Sequence, residues 1–210
     1  MSTPTIQAIR ATKIMIIRHG EKPADSPPPT GPFGVNVNGI QDHGHSLIVQ
    51  GWQRAGALAN FFAPTNGQLQ NKAIAIPATV FACTAPPNAK GQPTGLRPRE
   101  TITPLVDKLK QTGSVQTNFS LSETQDCEVA NAAMACDGVV LISWEHHNIS
   151  QIVSFIPTKN KGDVPSAWDD QRFDLVWVFD LNEDKQQYTF SQIPQLLLAE
   201  DSDKPMKRTT

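Results

Sequence analysis

The sequence is poor in charge and in cysteine, and each scarcity excludes a class of protein. Only 18% of the 210 residues are charged and the formal net charge is −2, so no strong field of one sign would attract nucleic acid or an acidic membrane surface. The three cysteines, Cys83, Cys127 and Cys136, make no disulfide framework. No apolar run approaches the roughly 18 residues that span a bilayer, and the start of the chain does not have the composition of a signal peptide. We therefore expect a cytoplasmic protein that binds neither nucleic acid nor membranes.

The rest of the composition is that of one folded domain. Hydrophobic residues make up 39% of the chain, which is enough to bury a substantial core at this length. We expect a single domain over residues 1–200. A polar tail over residues 201–210 is expected to be frayed. Oligomeric state cannot be derived from these features.

Short apolar runs alternate with amphipathic segments along the chain. Runs rich in β-branched residues predict buried strands, and apolar residues at helical spacing predict helices. The predicted strands are residues 14–17, 79–83, 115–119, 139–143, 175–179 and 187–193, with a hairpin at 182–185 between the last two. The predicted helices begin at an N-cap Ser46, follow Pro98 as far as Gly113, and cover residues 128–135 and 149–155. This order predicts a three-layer α/β/α sandwich with a mixed, mostly parallel sheet.

Residues that can bind an anion follow three of the predicted strands. In chain order they are Arg18-His19-Gly20, Arg97, which is reached through a loop, and Glu145-His146-His147. Because open α/β sheets bind ligands outside the carboxyl ends of their strands, we expect these side chains to converge at one edge of the sheet. The guanidinium group offers a planar fork of donors that matches phosphate oxygens. The sequence therefore predicts a phosphate-binding site.

His19 has the surroundings expected of a nucleophile. An imidazole must be neutral to attack phosphorus, and nearby arginines disfavour the imidazolium. A backbone carbonyl bonded to the other ring nitrogen would fix the tautomer, and Gly20 would let the backbone turn and approach closely. The phosphoryl group would then pass to His19 and on to water.

Several segments in order resemble the histidine phosphatase superfamily, which has the phosphoglycerate-mutase-like fold. IMIIRHGE, residues 14–21, is similar to the family's opening strand and nucleophile motif, and SLIVQGWQRAGAL, residues 46–58, to its first helix. RPRET, residues 97–101, resembles the segment with the second phosphate arginine, and VVLISWEHHNI, residues 139–149, the segment with the second catalytic histidine. FDLVWVFD, residues 173–180, resembles the closing strand of one branch of the family. Together these segments cover most of residues 12–181.

The resemblance implies a phosphomonoester hydrolase that acts on a small phosphate ester without a cofactor or metal. It implies that His19 is the phosphoacceptor and that Arg18 and Arg97 bind phosphate. Arg97 is preferred to Arg99 because the family places this arginine four residues before a threonine, here Thr101. A mutase of the phosphoglycerate type and a non-catalytic phosphate-binding module are the alternatives.

The second histidine and the general acid are less directly implied, because this chain departs from the family there. The family usually has His-Gly or His-Ser after the strand, whereas Trp144 is followed here by Glu145-His146-His147. We choose His146 as the second catalytic histidine, with His147 as the alternative, and both as phosphate ligands. Glu145 is the candidate general acid.

Further polar residues near the first motif compete for these roles or stabilise the fold. Asp42, His43 and His45 are rivals to Glu145 as the acid. A metal site built from His43 and His45 with His146 is not expected, since no ligand spacing supports it. Glu21 is predicted to be structural and to pair with Arg54.

Overall fold

The structure, a computed structural model, describes residues 9–24, 31–42, 44–85, 89, 94–182, 184 and 186–207. The strands are β1 (Ala11–Arg18), β2 (Gly34–Val35), β3 (Gln41–Asp42), β4 (Thr79–Ala82), β5 (Gln116–Asn118), β6 (Gly138–Trp144), β7 (Leu175–Leu181) and β8 (Tyr188–Pro194). The helices are α1 (Val49–Phe62), α2 (Arg97–Thr112), α3 (Asp126–Ala135) and α4 (His146–Ser154), with a short 3-10 turn at Lys161–Asp163.

Six strands form the main sheet in the order β5-β4-β6-β1-β7-β8. The first four of these strands run parallel, whereas β7 and β8 run antiparallel to their neighbours. Parallel neighbours need long crossover connections, and the helices supply them here. The predicted mixed, mostly parallel sheet and the hairpin before Tyr188 are confirmed. Among the described residues, no helix is both long and apolar enough to cross a membrane.

The core lies on both faces of the sheet because side chains alternate along each strand. Ile14 and Ile16 of β1 pack in a cluster with residues of α3 and α4. Met15 and Ile17 pack in a second cluster with residues of α1 and α2. The fully buried run that predicted β1 is therefore buried by helices on either side, which confirms the three-layer arrangement.

Every helix of the described chain begins at a residue other than the one expected, although α2, which begins at Arg97, and α3, which begins at Asp126, are displaced by at most two residues. Helix α1 begins at Val49 with Ile48 at the N-cap, so the prediction of Ser46 as N-cap was wrong. Asp42 binds Ser46 instead, accepting hydrogen bonds from its hydroxyl and its N–H at 2.8 and 3.2 Å. Helix α4 begins three residues earlier than predicted, at His146, because the side chain of Glu145 caps it.

The segment after Glu200 is packed against the body of the protein rather than frayed. The side chain of Asp201 is 4% exposed and lies 2.7 Å from the guanidinium of Arg54. Met206 is buried in the core cluster that covers one face of the sheet. The frayed end that we expected is therefore wrong for residues 201–207, which form hydrogen bonds with side chains of the body of the protein.

Candidate active site

The candidate nucleophile lies where the end of β1 meets α1. The N–H of His19 donates to the carbonyl of Trp144 at 3.2 Å, which keeps β1 paired with β6 at this point. A Cβ at Gly20 would lie 3.0 Å from the carbonyl oxygen of Gly51, and a Cβ at Gly51 would lie 2.5 Å from that of Glu21. Both glycines are required because two backbones meet here. The predicted close approach at Gly20 is confirmed.

The imidazole of His19 is fully buried and its tautomer is determined by its neighbour. Its Nδ1 lies 2.7 Å from the carbonyl oxygen of Gly20. Since a carbonyl only accepts, Nδ1 carries the hydrogen and Nε2 keeps a lone pair. Burial, reinforced by the charges of Arg97 and Arg18, lowers the pKa of His19 to about 4, although Glu145 acts in the opposite direction. The ring is therefore neutral at neutral pH, as a nucleophile requires.

The start of α2 is attached to the ends of β1 and β6 by two buried hydroxyls. The hydroxyl of Thr101 accepts a hydrogen bond from the N–H of Gly20 at 2.8 Å and donates to the carbonyl of Arg97 at 2.7 Å. The hydroxyl of Ser143 donates to the carbonyl of Pro98 at 2.8 Å. These contacts place the first residue of α2 beside the strand ends.

The structure separates the two candidate arginines of α2. The charge of Arg97 contributes to lowering the pKa of both His19 and Arg18. Arg99 is exposed and its guanidinium lies 5.1 Å from the ring centre of Phe119. Arg97 is thus near enough to His19 and Arg18 for its charge to act on both, whereas Arg99 lies on the exposed side of α2.

Arg18 is buried with part of its hydrogen-bonding capacity unused. Its Nη1 donates to the carbonyls of Asp170 and Asp169 at 2.6 and 3.2 Å. Its Nε and Nη2 are buried and have no hydrogen-bond partner in the described part of the chain. The guanidinium carbon lies 3.8 Å from the ring centre of Phe173, a cation–π contact. Burial lowers the pKa of Arg18 to about 10, so the group stays charged.

Glu145 stands between the two histidines. Its Oε1 lies 2.8 Å from Nδ1 of His146 and 3.6 Å from Nε2 of His19. Its Oε2 accepts a hydrogen bond from the N–H of His147 at 2.7 Å. Burial opposes its ionisation, whereas ring protons of His146 and His19, where the facing nitrogens carry them, and the N–H of His147 lower its pKa. The N–H of His147 and the nearby charge of Arg18 favour the carboxylate in the free protein.

The two adjacent histidines differ in position. His146 is 2% exposed, and its ring centre lies 5.9 Å from that of His19. Its Nε2 donates to Oδ1 of Asp170 at 2.9 Å. His147 is exposed and its ring stacks against that of His146, with 3.8 Å between the ring centres. The fold thus brings His146 next to His19 and leaves His147 on the outer side.

The rivals for the general acid are placed differently. The carboxylate of Asp42 accepts hydrogen bonds from the N–H groups of Gly44, His45 and Ser46, so it organises the turn before α1. The side chain of His45 is exposed. His43 lies outside the described residues.

A cavity of about 460 Å³ opens beside these groups. Its lining includes Arg18, His146, His147, Asp170 and Phe173. Asp170 and Phe173 were not among the predicted site residues. They come from the segment before β7. Phe173 opens the family-like run at residues 173–180, but that run predicted a strand and not a site residue, and the pairing of β7 with β1 brings both residues to the site.

The predicted pairing of Glu21 with Arg54 is confirmed next to the site. The Nε and Nη2 of Arg54 donate to Oε1 of Glu21 at 2.9 and 2.7 Å. The same guanidinium also donates to Gln195 and Asp201. This cluster connects the end of β1 to α1 and to the segment after β8.

Comparison with known proteins yields a weak structural likeness. No family model matches the chain, and no curated protein matches it. One solved structure that it resembles is that of a protein from Agrobacterium tumefaciens provisionally assigned as the phosphohistidine phosphatase SixA, with a TM-score of 0.42 and 11% sequence identity. The match covers 86% of this chain and 96% of that one. A likeness this distant carries no inference about activity, so the function has to be inferred from the site itself.

Proposed function

We propose that this protein hydrolyses a small phosphomonoester through a phosphohistidine intermediate on His19. The observation that carries the proposal is the state of His19: a buried neutral imidazole whose Nδ1–H is bound to the carbonyl of Gly20 and whose Nε2 has no hydrogen-bond partner among the described residues. A lone pair held in one direction near two arginines is what attack on a phosphoryl group requires. The resemblance of residues 14–21 and 139–149 to the histidine phosphatases supports the same assignment.

The arginines supply the anion site in this proposal. Arg18 has two buried N–H-bearing nitrogens without acceptors in the described chain, and a phosphate would provide them. Arg97 adds a second positive charge at the start of α2. Because phosphoryl transfer depends mainly on positioning and on stabilising spread charge, these two groups account for most of the expected rate enhancement. His146 and His147 would bind phosphate oxygens from the cavity side.

One proton is needed in each turnover: Glu145 gives it to the leaving oxygen in the first step and receives one from water in the second. Nε2 of His19 forms a bond to phosphorus while the ester P–O bond breaks, and the leaving oxygen takes a proton. Water then forms a bond to phosphorus, the P–Nε2 bond breaks and its electron pair returns to His19. The proton released by water passes to Glu145, which is 3.6 Å from Nε2.

Glu145 fits this proton-carrying role only when the substrate is bound. Its carboxylate is ionised in the free protein, and a phosphate placed beside it would raise its pKa because like charges disfavour ionisation. A phosphomonoester that enters as the monoanion brings the required proton, since its second pKa is about 6. Glu145 therefore remains our proposed general acid.

The first experiment follows phosphate release and the phosphoenzyme together. Wild-type protein with an aryl phosphate is expected to release inorganic phosphate and to form a protein adduct that is labile to acid and stable to alkali. His19→Ala should lose both signals. Equal phosphate release by wild type and His19→Ala would defeat the proposal.

A matched pair of variants tests the assignment of the anion site. Arg97→Ala should lose activity while Arg99→Ala, two residues along the same helix, should keep it.

Glu145→Gln tests the assignment of the acid, because it keeps an oxygen for the N–H of His147 but cannot deliver a proton. It should slow alkyl phosphates far more than aryl phosphates, whose leaving groups need little protonation. Equal slowing of both substrates would remove Glu145 from the acid role.

The complete burial of His19 favours a second candidate function. A protein that binds phosphate without transferring it needs the arginines but not an accessible Nε2, and this atom has essentially no exposed surface. Binding of inorganic phosphate or vanadate with no detectable phosphoenzyme would select that function.

A further inference from the structure

Three ligand atoms of different residues converge beside β6. They are Nε2 of His19, Oε1 of Glu145 and Nδ1 of His146, and all three lie within 4.8 Å of one another. Oε1 is 2.8 Å from Nδ1 and 3.6 Å from Nε2. We propose that these atoms form a binding site for a divalent transition metal, with Zn²⁺ as the fitting ion, and that the bound ion blocks His19.

Both imidazoles are already oriented as metal ligands are. A ligating histidine almost always donates its outer ring N–H to a carbonyl or a carboxylate, which fixes the tautomer and the direction of the inner nitrogen. Nδ1 of His19 donates to the carbonyl of Gly20 at 2.7 Å, and Nε2 of His146 donates to the carboxylate of Asp170 at 2.9 Å. The two rings use opposite nitrogens for this purpose, and the inner nitrogen of each faces Glu145.

The ring nitrogen of each histidine that faces Glu145 lacks the hydrogen bond that a buried polar atom needs. Nε2 of His19 and Nδ1 of His146 are both buried without a hydrogen-bond partner in the described chain. Nδ1 is close to the carboxylate of Glu145 but not in hydrogen-bonding geometry with it. An unsatisfied buried acceptor is costly, and a cation shared by the three atoms would satisfy all of them at once.

The set of donors selects the kind of ion. Two imidazoles and one carboxylate form a known zinc ligand set, with a fourth position left for water, whereas Mg²⁺ and Ca²⁺ prefer oxygen ligands alone. Zinc–ligand bonds of about 2.0–2.2 Å in a tetrahedron put the ligand atoms about 3.3 Å apart. The two distances to Oε1 lie on either side of that value. Arg18 and Arg97 oppose a cation here, and the carboxylates of Glu145 and Asp170 offset them.

Spacing along the chain could not reveal this site. His19 directly follows β1, and the other two ligands directly follow β6. They meet because β1 and β6 are parallel neighbours, with Arg18 paired to Trp144. The site is thus distinct from the combination of His43, His45 and His146 that the sequence argued against.

Zinc and phosphoryl transfer need the same electron pair. A metal bound to Nε2 of His19 leaves no lone pair for phosphorus, so the occupied site cannot form the phosphohistidine. The inhibitory part of the inference rests on the proposed function. The binding part rests on the geometry alone and does not depend on turnover.

Calorimetric titration of the chelator-treated protein with zinc chloride tests the binding part. We expect one zinc ion per chain, with affinity reduced more than about tenfold in His19→Ala, Glu145→Gln and His146→Ala. Glu145→Gln keeps the cap of α4, so the loss would not arise from unfolding, and circular dichroism should confirm this. His45→Ala removes an exposed histidine and should bind zinc as the wild type does.

His147→Phe decides between this site and its neighbour. His146, His147 and Asp170 also offer ligand atoms within 4.8 Å of one another. A phenyl ring keeps the stacking on His146 but offers no nitrogen, so unchanged zinc affinity is expected. No zinc binding by the wild type, undiminished binding by Glu145→Gln, or loss of binding by His147→Phe would each overturn the proposal.

Turnover tests the inhibitory part separately. Phosphate release by the wild type should fall as zinc fills the site, over the range given by the titration. Residual release by Glu145→Gln should be insensitive to zinc in that range. Zinc binding without inhibition would refute the blocking of His19. Absence of turnover by the wild type itself would refute the proposed function, and the titration alone would then decide whether the metal site exists.

Discussion

Arg18 and Arg54 are two buried arginines near the end of β1 that are satisfied to very different extents. They are 1% and 2% exposed. Each nitrogen of the Arg54 guanidinium donates to a side-chain acceptor, and the acceptors are Glu21, Gln195 and Asp201. Only Nη1 of Arg18 has acceptors in the described chain, and these are carbonyls.

The pKa values of the two arginines move in opposite directions for this reason. Burial alone would lower the pKa of Arg54, but the hydrogen bonds from it to Asp201 and Glu21 outweigh burial and raise it. Burial dominates at Arg18 and lowers its pKa to about 10. The comparison separates an arginine that stabilises the fold from one that keeps buried donors without acceptors in the described chain, which our proposal assigns to phosphate.

The largest expected effect is on stability and distinguishes the two arginines directly. Arg54→Met should lower the free energy of unfolding by about 3–5 kcal/mol, because it leaves the carboxylates of Glu21 and Asp201 buried without their partner. Arg18→Met breaks no hydrogen-bonded ion pair among the described residues, since Arg18 donates to carbonyls there, and it should cost less. Urea denaturation of both variants measures the difference, and equal losses would contradict the comparison.

The next effect is on activity and reverses the order of the two variants. Arg18→Met should reduce kcat/KM for phosphate release by about 100–1000-fold, the cost of removing one preorganised donor to the transferred group. Arg54→Met, assayed well below its melting temperature, should lose far less. Steady-state kinetics with an aryl phosphate provides the measurement. Wild-type kinetics in Arg18→Met would remove that residue from the anion site.

A smaller effect concerns the pH dependence of the Arg54 cluster. Burial opposes ionisation of Asp201, but the hydrogen bonds from Arg54 and from the N–H groups of Leu198 and Leu197 keep its pKa below the usual value. Its contribution to stability is thus fully present above the unfolded pKa of about 3.9 and is lost as the pH falls through the folded pKa.

Asp201→Asn should therefore destabilise the protein by about 1–3 kcal/mol at pH 7 and by less near pH 3, where part of the contribution of the charge is already lost. Urea denaturation of wild type and variant at both pH values measures the two differences. A difference that stays constant between the two pH values would show that the charge of Asp201 is not what stabilises the cluster.

The smallest effect concerns the ring beneath Arg18. Phe173→Leu removes a cation–π contact worth about 1 kcal/mol, which should weaken binding of inorganic phosphate about fivefold through poorer placement of the guanidinium. Phe119→Leu removes the equivalent ring beneath the exposed Arg99 and serves as the matched control. Calorimetric titration with phosphate compares them, and equal affinities would deny Phe173 a positioning role.

The parts of the fold that depend on nearby residues could be predicted from the sequence. The run Ile14–Ile17 is apolar at every position because helices cover both of its faces, and this marks a central parallel strand. The end of α2 at Gly113 is likewise marked by a local signal. Ser46 shows where such signals fail: it has the chemistry of an N-cap, but Asp42 binds its hydroxyl and the helix begins later.

The parts of the site that depend on distant residues could not be predicted. The pairing of Glu21 with Arg54 was expected, whereas Asp201, which completes the cluster, is 147 positions from Arg54. Asp170 and Phe173 likewise reach the site through the pairing of β7 with β1, and no local pattern marks either of them as a site residue. Contacts of this kind are set by topology, which residue spacing does not encode.

Asp201 also connects the last segment of the described chain, through Arg54, to Glu21 in the segment that directly follows β1 and contains His19. The carboxylate of residue 201 and that of Glu21 bind one guanidinium from opposite ends of the sequence. A protease that cuts after Glu200 would thus loosen a backbone position only two residues beyond His19. A spectroscopic label attached near Met206 could in turn report on order at the strand end without being placed in the cavity.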